Sequence, residues 1–145
     1  MSDDTTAEGP IEVPYQEPSE DEKASWAEQA ARGERIAADA ASLRQSLEWL
    51  QSRAGNLYGS DIPDGAFSAL TGELNTVSAS ASTAQEGLAD GVYAKSAFQG
   101  VHYWADHAAG LAAAAETSDS LTERQVSAGD MAGAITNALA ALHGV

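Results

Sequence analysis

The residues of this chain that could do chemistry are concentrated in one short stretch, Val101–His107 ("VHYWADH"). It holds two of the three histidines, with a tyrosine, a tryptophan and an aspartate. On a helix, side chains four residues apart are neighbours, so His102 would face Asp106 and Tyr103 would face His107. The first pair could orient a histidine against a carboxylate, and the two histidines could act as metal ligands.

The spacing of these histidines argues against a metal site. A catalytic zinc site usually has three protein ligands, and residues five apart, such as His102 and His107, point about 140° away from each other on a helix. Glu73 or Glu86 would have to complete the site from another helix. Helical di-metal proteins use Glu-Xaa-Xaa-His pairs, and this chain has none. We therefore predict no metal site.

For the same stretch we predict a packing role with a polar edge. His102 and Asp106 are expected to form a surface pair beside Trp104, which lies on an apolar helical face with Val101. His107 remains a candidate ligand with no partner identified from the sequence. The question left by the sequence is whether Tyr103 and Trp104 are covered by this chain's own helices or by another protein.

No other pattern in the chain points to catalysis. There is no Gly-Xaa-Ser-Xaa-Gly elbow and no glycine-rich loop after a strand that could hold a phosphate. Asp61 and Asp64 flank a proline in a predicted loop, where turn and capping roles explain them. The absence of cysteine excludes disulfides, thiolate catalysis and cysteine-ligated zinc. The sequence therefore predicts no enzyme and no cofactor.

Charge restricts the classes of partner. The 145 residues carry a formal net charge of −15, which disfavours binding to nucleic acid or to an anionic membrane, because both need cations on the protein. Residues 1–22 hold eight of the 22 acidic residues and none of the seven basic ones. Such a segment serves solubility or binds a basic partner.

The N-terminal region reads as an arm. Residues 1–18 contain three of the four prolines and have no helical or strand periodicity, which predicts an acidic, flexible segment. It is unlike a classical signal peptide, which has a basic start and an apolar stretch. We expect a protein that is cytoplasmic or is exported without such a peptide.

The rest of the chain predicts helices. Capping boxes at Ser19–Glu22 and Ser120–Glu123 mark two helix starts, and apolar residues recur at alternating spacings of four and three. In the first helix they are Ile36, Ala40, Leu43, Leu47, Leu50, Ala54 and Leu57. We expect an all-α fold, an antiparallel helical hairpin extended to a three- or four-segment bundle. The predicted single domain, 19–145, has helices at about 19–58, 64–86, 88–116 and 120–143.

Four aromatic side chains are candidate anchors for a protein partner, because aromatic residues dominate the energetic centres of interfaces. Trp49 lies one position off the apolar seam of the first helix, where an indole can stay partly exposed. Trp26 precedes that seam, and Tyr103 and Trp104 lie in the third helical segment. Each could equally be a core or edge residue of the chain's own bundle.

The order of these segments resembles a known family. A helix ending near Leu57-Tyr58, the turn "PDGAF" (63–67) and an Ala-rich helix ending in "GLAAAAETSDSL" (110–121) resemble the small ESX-type helical-hairpin proteins of type VII secretion systems. The resemblance covers about residues 25–120. The family's Trp-Xaa-Gly turn is absent, and Ala115 stands where the tyrosine of its export motif, Tyr followed four residues later by an acid, would precede Asp119.

The sequence thus favours a non-enzymatic helical protein that associates with itself or with a protein partner along a helical seam, and the resemblance implies a secretion-associated hairpin. Two alternatives stay open. One is a structural or assembly accessory of a phage or similar particle, whose acidic arm binds a neighbouring subunit. The other is an acidic decoy of a DNA-binding protein, in which carboxylates occupy a basic groove.

Overall fold

A computed structural model describes residues 17–58, 62 and 65–145 of the chain. Four α-helices follow in order: α1 (Glu20–Gly55), α2 (Ala66–Glu86), α3 (Tyr93–Glu116) and α4 (Leu121–Ala141), with a short 3-10 turn, Asn56–Tyr58, after α1. The described residues include no strand. The predicted all-α bundle is confirmed. The predicted arm up to residue 16 and most of the predicted turn at 61–65 lie outside the described residues.

The internal contacts of the chain divide it into two units, Met1–Arg32 and Gly33–Val145. The boundary between the two units falls within α1, whose helical residues run without a break from Glu20 to Gly55. In the first unit, every residue from Ser19 to Arg32 is exposed. The second unit contains the remainder of α1 and the three other helices.

Two of the helix starts are capped by serine. The Ser19 hydroxyl accepts the amide hydrogen of Glu22 at 3.1 Å, and the Glu22 carboxylate accepts from the Ser19 amide at 3.4 Å, so the first predicted capping box is confirmed. At α4, Ser120 Oγ accepts from the Glu123 amide at 3.2 Å. The Glu123 carboxylate bonds the Ser118 hydroxyl instead of returning to Ser120, so only half of the second box forms.

The third helix begins later than predicted. The periodicity placed its start near residue 88, whereas α3 starts at Tyr93. Gly91 has a φ of 87°, a left-handed conformation that breaks the helix, and Val92 before the first helical residue is extended. Leu88, which the sequence pattern placed in the third helix, lies in the turn between α2 and α3, and its side chain is buried.

In the second unit, α2 runs antiparallel to α3, and α1 runs antiparallel to α4. The cross-helix hydrogen bonds join a rising residue number on one helix to a falling number on the other: Ser78 with His102 and Gln85 with Gln99 between α2 and α3, and Arg44 with Leu142 and Gln51 with Thr136 between α1 and the α4 end of the chain. Such an order is that of an up-down-up-down bundle.

The core changes composition across the bundle. Leucines dominate the buried faces of α1 and α2, among them Leu43, Leu47, Leu50, Leu70 and Leu74. The buried faces of α3 and α4 are built largely from alanine: Ala105, Ala108, Ala112, Ala115, Ala128, Ala134 and Ala138. Small side chains let helix backbones approach closely. A Cβ built on Gly100 of α3 would lie 3.0 Å from the Cβ of Ala141.

Candidate protein-interaction site

The stretch Val101–His107 lies on α3 with its two faces in different surroundings. Val101 is fully buried and Trp104 is half-buried against the core. Tyr103 is 61% exposed. Its ring is nearly parallel to that of His107, with centroids 6.4 Å apart, and Trp104 meets both rings edge-on at 5.0 and 5.8 Å. The chain's own helices therefore cover part of Trp104 and leave Tyr103 open.

His102 does not form the predicted surface pair with Asp106. Its Nδ1 lies 2.8 Å from the Ser78 hydroxyl and 3.0 Å from the Ser78 carbonyl oxygen of α2. The reason is that α2 brings the hydroxyl and the carbonyl oxygen of Ser78 to the imidazole. A buried hydroxyl without a hydrogen bond costs free energy, whereas the carboxylate of Asp106 can bond water. His102 therefore joins two helices.

The described part of the chain contains no group of three or more His, Cys, Asp or Glu side chains arranged to hold a metal ion. Glu73, which the sequence offered as a partner for these histidines, faces a different helix pair, α1 and α2. His143 follows the last helix, where its carbonyl oxygen accepts a hydrogen bond from the Tyr93 hydroxyl at 2.7 Å.

Trp49 is 46% exposed on α1, one position from the buried Leu50. The guanidinium carbon of Arg53 lies 4.7 Å from the centre of its ring, which places a cation over the indole. With Leu50, Glu73 and Val77, Trp49 lines a hollow of about 570 Å³ between α1 and α2. Trp49, predicted at the flank of the apolar seam, thus lines this hollow.

This hollow is one end of a longer depression, the α1–α2 groove. It continues through a second hollow that shares Ser46, Thr76 and Val77 with the first, and then through a third. The residues that line its length include Arg35, Asp39, Ser42, Ser46 and Trp49 on α1, and Glu73, Thr76, Ser80 and Thr83 on α2, with Gly87 directly after α2. Because Trp49 lies opposite Glu73 and Arg35 opposite Gly87, the two helices run antiparallel.

Glu73 is the unusual group of the groove. Its Oε2 atom is buried and has no hydrogen-bond partner among the described residues. Buried carboxylate oxygens normally accept hydrogen bonds, and an unsatisfied one costs free energy of about 1–3 kcal/mol or more. A donor from outside the chain would remove that cost.

A second groove, between α3 and α4, contains Trp104. It is lined by Trp104 and His107 on α3 and by Gly129, Asp130 and Gly133 on α4. Glycines open this surface because they have no side chain to fill it. Tyr103 does not line this groove, although its ring contacts Trp104.

Trp26 lies in the first unit and is 54% exposed. It shares a helical face with Ala30, four residues further on, and Ala27 lies at the edge of this face, about 100° round the helix. The four predicted anchors are divided between the two units. Trp26 belongs to the exposed start of α1, Trp49 to the α1–α2 groove, and Tyr103 with Trp104 to α3.

Sequence reasoning missed the floor of the α1–α2 groove. Its signal was present: Ser42 and Ser46 are four apart on α1, and Thr76, Ser80 and Thr83 have the same helical spacing on α2. Small polar residues in such a row leave space beside an apolar seam. The pairing of the two rows depends on how the helices pack, which periodicity alone does not specify.

Searches of protein-family models, of curated proteins and of solved structures each find no match to this chain. Within the residues described, none of the helices is long and apolar enough to cross a membrane. The candidate sites are therefore defined by their own geometry. In the first unit this is the exposed start of α1 with Trp26, and in the second unit it is a long groove between α1 and α2 and an aromatic cluster on α3.

Proposed function

We propose that the protein is a non-enzymatic helical interaction protein that associates with itself or with a protein partner through the exposed first part of α1. The observation that carries this proposal is the exposure of every residue from Ser19 to Arg32, with Trp26 among them. Helices in proteins gain most of their stability by packing an apolar face against another element. This segment has an apolar face, and no described residue of the chain buries it.

The composition of the exposed face suits helix pairing. Trp26 offers a large apolar surface with a polar N–H at its edge, as interface anchors commonly do. Ala27 and Ala30 beside it are small, so a partner helix can approach closely. Glu22, four residues before Trp26, is charged and suits the rim of an interface. Lys23, three residues before Trp26, lies on the face itself, where its aliphatic stem can pack.

The remainder of the α1 seam supports this choice of surface. Leu43, Leu47 and Leu50 are buried within the second unit, where they contribute to the chain's own core. From residue 40 onward, the apolar seam that the sequence suggested for a partner is therefore already buried by the chain's own helices. The residues left for an intermolecular contact lie in the first part of α1.

The biological setting that we propose is type VII secretion. Its support is the antiparallel α1–α2 hairpin together with the resemblance of residues 25–120 to ESX-type hairpin proteins. A secretion ATPase gene beside the gene for this protein would support the setting. A particle-morphogenesis cluster in that position would favour the phage accessory instead.

Light scattering on the purified protein, with and without Trp26→Ala, tests the association. We expect an assembly larger than one chain, or a partner captured from the native host, and loss of either in the variant. Tyr103→Ala is the matched control, because it removes another exposed aromatic ring from a different helix. A strict monomer with no partner in the host, or equal behaviour of the two variants, would contradict the proposal.

A further inference from the structure

The α1–α2 groove contains a carboxylate that lacks a donor. Oε2 of Glu73 is buried and unpartnered among the described residues, at the end of the groove that Trp49 and Leu50 also line. An ionised carboxylate forms its strongest hydrogen bonds with a cationic N–H donor. The described residues that line this end of the groove include no lysine or arginine, and Arg53 nearby lies over the Trp49 ring and has no described hydrogen bond to Glu73. A cationic donor from another molecule would satisfy the free oxygen.

The dimensions of the groove fit a helix. From Arg35 to Trp49, α1 advances about 20 Å, at 1.5 Å per residue, which corresponds to roughly four turns of an opposing helix. The floor carries short side chains, Ser46, Thr76 and Ser80. An amphipathic helix binds such a groove with residues at spacings of three, four and seven.

Charge selects the kind of helix. Asp39 lines the middle of the groove, in a hollow that Arg35 also lines, and lies ten residues before Trp49, which is opposite Glu73. The two carboxylates are therefore about 15 Å apart along the helix axis, or roughly three turns of a bound helix. Basic side chains eleven residues apart lie on one face of a helix and would meet both.

We infer that the α1–α2 groove binds a basic amphipathic helix of a partner protein. A lysine or arginine of that helix donates to Oε2 of Glu73, a second basic residue eleven positions away meets Asp39, and an apolar residue beside the first contacts Leu50, Val77 and the Trp49 ring. This site uses different residues from the Trp26 face, so either proposal can fail without the other.

Other occupants have the wrong charge. Residues 1–22 of this chain contain eight carboxylates and no basic residue, and a second copy brings a net charge of −15. Either would place further carboxylates beside Glu73 and Asp39, which is unfavourable in a partly buried groove. A basic partner is the complementary one.

The probe is a synthetic Ala- and Leu-based helical peptide of about 20 residues with two lysines at eleven-residue spacing. One matched peptide replaces each lysine with glutamate, and another moves the lysines to the opposite face. Calorimetry measures the affinity, and NMR follows the indole N–H of Trp49, assigned with Trp49→Phe. We expect the first peptide to bind and shift this signal, and the two matched peptides to bind about ten-fold or more weakly.

Protein variants separate the groove from the general negative charge. Glu73→Gln and Glu116→Gln each remove one carboxylate, but Glu116 is exposed at the end of α3 and lines none of the groove. We expect about a ten-fold loss of peptide affinity for Glu73→Gln and less than about two-fold for Glu116→Gln. Thr76→Arg, which puts a guanidinium three residues from Glu73 on the same helix, should also abolish binding.

Several outcomes would overturn the inference. They are equal losses in Glu73→Gln and Glu116→Gln, a Trp49 signal that does not move at saturating peptide, and equal binding of the peptide with its lysines on the wrong face. A Trp49 signal that instead shifts with protein concentration would indicate a second copy in the groove. A shift on removal of residues 1–16 would indicate the chain's own N-terminal segment. Both results would also reject a basic partner.

Discussion

The imidazole of His102 on α3 is hydrogen-bonded to Ser78 on α2, with 2.8 Å between Nδ1 and the serine hydroxyl and 3.0 Å between Nδ1 and the serine carbonyl oxygen. Ser78 is the buried polar residue at the centre of this contact. The histidine that most resembled a catalytic or metal-binding group in the sequence thus connects two helices.

Removal of the Ser78 hydroxyl should destabilise the bundle. We expect Ser78→Ala to lower the free energy of unfolding by about 1 kcal/mol, because it removes a hydroxyl that is hydrogen-bonded to His102 from a buried position of α2. Ser80→Ala is the control, since it makes the same change at an exposed position of α2 and carries the same gain in helix propensity. Urea unfolding measures both. Equal midpoints for the two variants would show that the hydrogen bond contributes nothing.

The glycines of α3 should respond in different ways to alanine. Gly110 has open space where a Cβ would lie, so Gly110→Ala should raise the free energy of unfolding by about 1 kcal/mol through helix propensity. At Gly100 a Cβ would meet the Ala141 Cβ at 3.0 Å, and the clash should cancel that gain. Thermal unfolding of the two variants checks the difference, and a Gly100→Ala protein as stable as Gly110→Ala would contradict it.

The alanine face of α3 should reject larger side chains. Ala112 is fully buried, whereas the adjacent Ala113 is exposed. We expect Ala112→Leu to cost about 1–3 kcal/mol by overpacking and Ala113→Leu to be close to neutral. Denaturant unfolding monitored by circular dichroism compares them. If Ala112→Leu were as stable as Ala113→Leu, the contact between these helices would have to be looser than described.

Lys95 should control the ionisation of Asp90. Its ammonium donates to the Asp90 carboxylate at 2.8 Å, and this hydrogen bond, with the positive charge behind it, holds the pKa of Asp90 below its usual 3.8. A lowered pKa means that the pair stabilises the folded state above about pH 4, and that this contribution is lost as pH falls through the folded-state pKa.

The test is an NMR titration of the Asp90 carboxyl carbon in the native protein and in Lys95→Gln. We expect the Asp90 pKa to rise toward its usual value in the variant. Stability near neutral pH should fall in Lys95→Gln, and the difference between the two proteins should shrink in acid. An unchanged Asp90 pKa would show that the ion pair is not formed in solution.

Local signals in the sequence were sufficient for much of the fold. The seam from Ala40 to Leu57 depends only on helical periodicity, and its members are buried. The Ser19 cap is specified by four adjacent residues. The start of α3 was wrong because the apolar pattern runs through Leu88, while the left-handed conformation of Gly91 decides where the helix begins.

The candidate site was less accessible to sequence reasoning because it depends on which helix faces which. His102 and Asp106 are neighbours on α3, but the imidazole finds a better partner in Ser78, 24 residues away in the chain. Likewise nothing near Glu73 in sequence indicates that its carboxylate would lie buried beside Trp49. Both relationships arise only when α2 is placed between its neighbours.

The alanine faces of α3 and α4 also have an evolutionary consequence. At a fully buried alanine such as Ala105, Ala108 or Ala138, almost every available replacement adds atoms, and only glycine removes any. Sequence drift along this contact is therefore limited to a few small residues, while leucine positions such as Leu47 can exchange with several residues of similar volume. Divergent relatives should keep short side chains on α3 and α4 long after their α1 sequences have changed.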